Sequence, residues 1–141
     1  MDPIRILIVD DHPLFRDGLR ALLESVPDMQ VIGEAMTGNE VVVQAASLQP
    51  DVVLMDINLP GMTGLKCTAL LKDRLPKTQI LMLTIYSNNN YIFEALQAGA
   101  TGRQVADHLG DLLVRGQRLF QLIRGNHRLH IRSGEIQRRL R

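Results

Sequence analysis

The stretch PDVVLMDINLPGMTG (Pro50–Gly64) sets four apolar residues, Val52–Met55, directly before Asp56, a proline–glycine turn and a glycine where a new pattern begins. A continuous apolar run of this length suits a strand buried on both faces, as in a parallel sheet with helices on either side. Two further runs have the same build. Ile6–Val9 (ILIV) is followed by Asp10 and Asp11, and Ile80–Leu83 (ILML) by Thr84. Val31–Ala35 (VIGEA) is more mixed, as an edge or near-edge strand would be. Between the runs the hydrophobic period becomes helical: Phe15, Leu19, Leu22, Leu23 and Val26 share one helical face after Asp11-His12-Pro13, a cap followed by proline in the first turn. Val41–Leu48, Leu65–Leu75 and Asn90–Ala98 read as further helices, the last closed by Gly99. Strand alternating with helix predicts a doubly wound parallel α/β sheet.

The chain of 141 residues, 45% of them hydrophobic, is long enough to bury a core without staples. No apolar run approaches the length of a membrane span, so no membrane partner is expected. The opening MDPIRILIVDD lacks a basic leader and meets acid at once, unlike a secretory signal. A single cysteine, Cys67, cannot form an internal disulfide and fits a reducing, cytoplasmic setting, where it reads as a small apolar helix residue.

In an open parallel sheet, ligands gather at the carboxyl ends of the strands. Asp10, Asp11, Asp56 and Thr84 all follow apolar runs, which predicts three carboxylates and a hydroxyl at one edge. Each has an ordinary reading when taken alone: a helix cap, a turn or a strand end. Their joint placement favours a site. Close carboxylates repel one another unless a cation lies among them, and a hard divalent ion such as Mg²⁺ suits oxygen donors. Beside such an ion Asp56 could act as a nucleophile towards a phosphoryl group, with the Thr84 hydroxyl donating to a phosphoryl oxygen.

ILIVDDHPLFRDGLRALL, PDVVLMDINLPGMTGL and ILMLTIYSNNNYIFEALQAGATG together resemble the receiver domain of two-component response regulators. The wording DDHPLFRDGL and QAGATG is most similar to the NarL/FixJ-type branch with LuxR-family outputs. The resemblance spans Ile4–Gly102. It implies a five-stranded flavodoxin-like sheet and a phosphoacceptor at Asp56. It also implies Mg²⁺ held by Asp10, Asp11, Asp56 and the backbone carbonyl of Asn58. Thr84 becomes the switch hydroxyl, Asn58 and Tyr86 the neighbours that tune phosphate lifetime, and a histidine kinase the phosphodonor. Pro60 and Gly61 shape the loop after the third strand, and Gly64 begins the next helix. His12 reads as a capping or local hydrogen-bonding residue. A second copy, docked through the receiver, is a further candidate partner. No separate general base is present, so only self-phosphorylation and slow self-dephosphorylation are expected, not conventional hydrolysis.

The resemblance breaks after GATG. Relatives of this branch continue with an aromatic, two apolar residues and a lysine, whereas here Arg103 and Ala106 stand at the aromatic and lysine positions. The last strand and helix are therefore atypical. Residues 1–102 carry seven Lys/Arg against twelve Asp/Glu, a net −5, while residues 103–141 carry nine arginines, no lysine and three acids, a net +6. Leu109, Leu112, Leu113, Leu119, Phe120 and Ile123 still form an apolar stripe that could complete the helical cover. These features divide the chain into a receiver domain over 1–124, atypical over 103–124, and a basic, poorly ordered tail over 125–141. Too few residues remain for an output helix-turn-helix, so DNA binding of that kind is not expected.

Four functional readings follow. The chain is a phosphoacceptor receiver that regulates transcription through a partner or a lost output domain; a pseudo-receiver that binds partners without switching; a truncated or frame-shifted fragment; or a nucleic-acid binder acting through arginine–phosphate contacts of its tail.

Overall fold

The computed structural model describes residues 2–56, 59–84, 102–105, 120–121 and 123–125, with Leu83, Thr84 and 102–105 described in backbone only. Asn58, Tyr86, Ala106, the predicted helix Asn90–Ala98 and the tail 126–141 lie outside the described residues. The elements run β1 (Ile4–Val9), α1 (Pro13–Glu24), β2 (Met29–Ala35), α2 (Gly38–Leu48), β3 (Val52–Asp56), α3 (Gly64–Arg74), β4 (Gln79–Thr84) and β5 (Gly102–Val105). The five strands form one sheet in the order β2-β1-β3-β4-β5, and every adjacent pair is parallel. This is the doubly wound arrangement expected from the alternating patterns. The mixed segment around Val31–Ala35 belongs to the edge strand β2.

Each continuous apolar run divides between two cores because successive strand side chains point to opposite faces. Ile4, Ile6 and Ile8 of β1, Val52 and Leu54 of β3 and Leu81 of β4 pack on one face with Leu19 and Leu23 of α1. Leu7, Val9, Val53, Met55, Ile80 and Met82 pack on the other with Val41, Ala45, Cys67 and Leu71 of α2 and α3. Burial of Cys67 pushes its thiol up to about 11, so it behaves as the apolar residue its helical position suggested.

Local signals fix the helix ends. His12 is the N-cap of α1 and Pro13 opens its first turn, although the His12 side chain makes no capping bond to the helix. Thr37 caps α2 by accepting from the Glu40 N–H at 3.2 Å, while the Glu40 carboxylate accepts from the Met36 N–H at 3.0 Å. Thr63 caps α3 in the same way through the Lys66 N–H. The edge strand β2 carries a register shift opposite Ile6 and Leu7, and its Glu34 carbonyl accepts from Gln44 Nε2 at 2.8 Å.

Both sides of Gly102 contribute to the packed unit. Gly102–Val105 pairs along Leu81–Thr84, with Arg103 opposite Met82. Phe120 and Ile123, both helical, are buried in the α1-side core. Arg124 then reaches Asp28 through two hydrogen bonds of 2.6 and 2.8 Å and lies 5.6 Å from the centre of the Phe120 ring. Both partners of this ion pair are substantially solvated, so the buried apolar residues, not the charges, anchor the segment. Phe120→Ala should therefore lower the unfolding free energy by about 3 kcal/mol, and Asp28→Asn by less than about 1 kcal/mol, in urea denaturation.

Candidate metal centre

The site is built where β1 and β3 end. Val9 pairs with Met55, so Asp10 and Asp56 follow on adjacent strands. Asp10 remains attached to the sheet after β1 ends, its N–H donating to the Ala35 carbonyl at 3.1 Å. It is buried, at 4% exposure, whereas Asp11 and Asp56 are half-buried. One ligand atom each from Asp10, Asp11, His12 and Asp56 can be chosen so that all lie within 4.8 Å of one another. The structure thus brings together the three carboxylates predicted to meet. Thr84 ends β4 as expected but is described in backbone only, as is Arg103 in β5.

His12 belongs to the cluster through local hydrogen bonding. Its backbone N–H donates to Asp10 Oδ1 at 2.7 Å, and its ring Nδ1 lies 2.9 Å from the same oxygen. Nδ1 is also 3.0 Å from Asp11 Oδ1, so the ring bridges the two carboxylates. The hydrogen bond to Asp10 holds the imidazole above its ordinary pKa; desolvation opposes this, and the charges of Asp10, Asp11 and Asp56 reinforce it. With its side chain 71% exposed, His12 covers the rim and leaves the oxygens as the inner donors.

Asp11 Oδ1 is buried and accepts no hydrogen bond among the described residues, the exposed His12 ring at 3.0 Å being its nearest cationic neighbour there. A desolvated carboxylate oxygen left this way is unfavourable unless something positive meets it. Three carboxylates with one such oxygen fit a hard divalent cation of the Mg²⁺ type. The pattern of strand ends showed the carboxylates; it did not show Arg16, whose Nη1 donates to the Asp10 carbonyl at 2.8 Å. An arginine six residues after a carbonyl gives no sequence signal, because the contact depends on how α1 turns back over its own loop.

The loop after Asp56 is held from below. Leu59 is buried in the α2/α3-side core, the Met62 N–H donates to the Pro60 carbonyl at 3.0 Å, and Gly61 takes φ +79°, which favours glycine. Gly64 begins α3, as expected. Gly38, first in α2, lies so close to this loop that an added Cβ would stand 2.6 Å from Met62 Cβ.

Residues 6–103 match the family model described as the response regulator receiver domain, and the chain belongs to that family. It is 35% identical over 129 residues to the uncharacterized transcriptional regulatory protein YxjL of Bacillus subtilis, covering 86% of this chain and 59% of the relative. To the nitrate/nitrite response regulator protein NarL of Escherichia coli it is 36% identical over 106 residues, covering 75% and 49%. The solved response regulator domain of Thermotoga maritima CheB superposes with a TM-score of 0.81 at 30% identity, covering 89% of this chain and 97% of that one. The chain is a receiver domain of NarL type and spans about half the length of the curated relatives it matches.

The cluster's electrostatics lead to a measurable consequence. In EDTA, Asp11→Asn should raise the unfolding free energy by roughly 1 kcal/mol, because it removes one of three mutually repelling carboxylate charges. Added Mg²⁺ should stabilise the parent protein more than this variant, as read from thermal melts with and without the ion.

Proposed function

We propose that this chain accepts a phosphoryl group on Asp56 from a histidine kinase, in the presence of Mg²⁺, as the receiver of a two-component response regulator. The observation that carries the reading is the convergence of Asp10, Asp11 and Asp56 at the carboxyl ends of β1 and β3. Asp10, Asp11, Asp56 and the Asn58 carbonyl would hold the ion; bound there, it would supply neutralising charge to the transferring phosphoryl group. An Asp56 oxygen attacks phosphorus as the donor's phosphorus–nitrogen bond breaks, and the departing imidazole takes up a proton. The Thr84 hydroxyl would bond a phosphoryl oxygen, and Asn58 and Tyr86 would tune how long the aspartyl phosphate lasts. The chemistry expected of such a site is self-phosphorylation and slow self-dephosphorylation rather than turnover as an enzyme. The names of the relatives, transcriptional regulatory proteins and a nitrate/nitrite response regulator, support an output in transcription, reached through a partner or an output domain.

Incubation with Mg²⁺ and a small phosphodonor such as acetyl phosphate should add one phosphate to the intact mass, and the adduct should be missing in Asp56→Asn. A folded parent protein that gains no mass would sink the proposal.

A second reading has its own observation. Arg103 occupies β5 where the branch carries an aromatic, and Ala106 follows where it carries a lysine. These are the residues that would sense the phosphoryl group, so binding of partners without switching is the alternative. Ala106→Lys should lengthen the lifetime of the aspartyl phosphate at least severalfold if the receiver can still switch, through a charge-assisted bond to the phosphoryl oxygens. An unchanged decay rate in a variant that is phosphorylated normally supports the non-switching reading.

A further inference from the structure

Arg16 lies in α1, and both its backbone and its side chain hold the acidic loop that precedes that helix. Its N–H donates to the His12 carbonyl at 3.0 Å, and its Nη1 donates to the Asp10 carbonyl at 2.8 Å. The Asp10 N–H is already engaged by Ala35 of the edge strand. Both main-chain groups of Asp10 are therefore fixed beyond the end of β1, one by β2 and the other by Arg16.

The choice of acceptor is informative. Arg16 stands beside a cluster of carboxylates, yet among the described residues it forms no ion pair and directs Nη1 to a neutral carbonyl. Its Nε is buried without a partner. A guanidinium whose purpose was to neutralise the acids would take a carboxylate, preferably with both arms of its fork. This one holds the peptide between Asp10 and Asp11 instead. Rotation of that peptide plane would swing the two carboxylates relative to each other and to Asp56.

We infer that Arg16 is a positioning residue of the metal site, acting through the Asp10 carbonyl to fix the directions of the Asp10 and Asp11 carboxylates. The inference rests on the Mg²⁺ reading above. It has a distinctive sign. Simple electrostatics predicts that removing a cation from the neighbourhood of an acidic cluster strengthens Mg²⁺ binding. Loss of positioning predicts the reverse, because groups that orient metal ligands contribute about tenfold or more to affinity. A role only in tethering α1 would lower thermal stability and leave Mg²⁺ affinity alone.

The test is titration of Mg²⁺ into the full chain, followed by amide ¹H–¹⁵N shifts, for the parent protein, Arg16→Met and Arg16→Lys, with thermal melts in EDTA alongside. Arg16→Met should bind Mg²⁺ about tenfold more weakly. Arg16→Lys, which keeps one flexible donor, should fall between it and the parent. Unchanged or tighter binding by a folded Arg16→Met overturns the inference and leaves the metal reading intact. If Arg16→Met does not fold, Arg16→Lys decides, and an affinity equal to or above the parent's overturns the inference. A parent protein that binds no Mg²⁺ overturns the metal reading and this inference together.

Discussion

The in-register pairing of β1 with β3, both buried on both faces, is the constraint on which the rest of the molecule depends. Once Val9 lies opposite Met55, Asp10 and Asp56 must follow together at the same edge. Helices occupy the two faces, so the carboxyl ends of the strands are where polar groups can reach water or a ligand. Gathering carboxylates there is unfavourable in itself. The apolar side chains that the same two strands bury, Ile6, Leu7, Ile8, Val53, Leu54 and Met55 among them, are fully buried or nearly so and offset it. The site is thus a repulsive arrangement held in place by the core beneath it.

The loops at that edge are held by contacts that belong to the scaffold. Asp10 is bonded to β2 on one side and to α1 on the other. The loop after Asp56 is anchored by Leu59 and bears closely on the start of α2 at Gly38. The described residues beyond Gly102 belong to the same unit. Strand pairing is made by backbone groups that every residue but proline possesses, so β5 forms with arginine at position 103. Phe120 and Ile123 supply apolar cover that the α1-side core would otherwise lack. A change of side chain at position 103 leaves the ladder in place.

Much of this was legible in the sequence because it depends on short-range patterns. Apolar runs ending in an acid or a threonine gave β1, β3 and β4 and placed Asp10, Asp11, Asp56 and Thr84 at their ends. The stripe Phe15, Leu19, Leu22 and Leu23 gave the packed face of α1, with Val26 packing just beyond its end. Boundaries shifted by a few residues: α2 begins at Gly38 rather than Val41, because the Thr37 cap recruits three residues outside the apolar stripe. His12 was legible as a locally bonded residue, but its ring turns to the acids instead of capping the helix.

Periodicity and strand ends, read from the sequence by itself, determined the alternating α/β plan, the two-faced burial of the strands and the identity of the three clustered carboxylates. These depend on residue type and spacing along the chain, which tertiary packing does not alter. Only the tertiary structure decided the strand order and the register that makes Asp10 and Asp56 neighbours. It also decided the burial of an Asp11 oxygen, the grip of Arg16 on the Asp10 carbonyl and the bond from Arg124 to Asp28. Each of these joins groups whose proximity is set by how helices and strands fold back on one another. No local pattern carries that information, because the geometry that creates the contact lies between elements rather than within them.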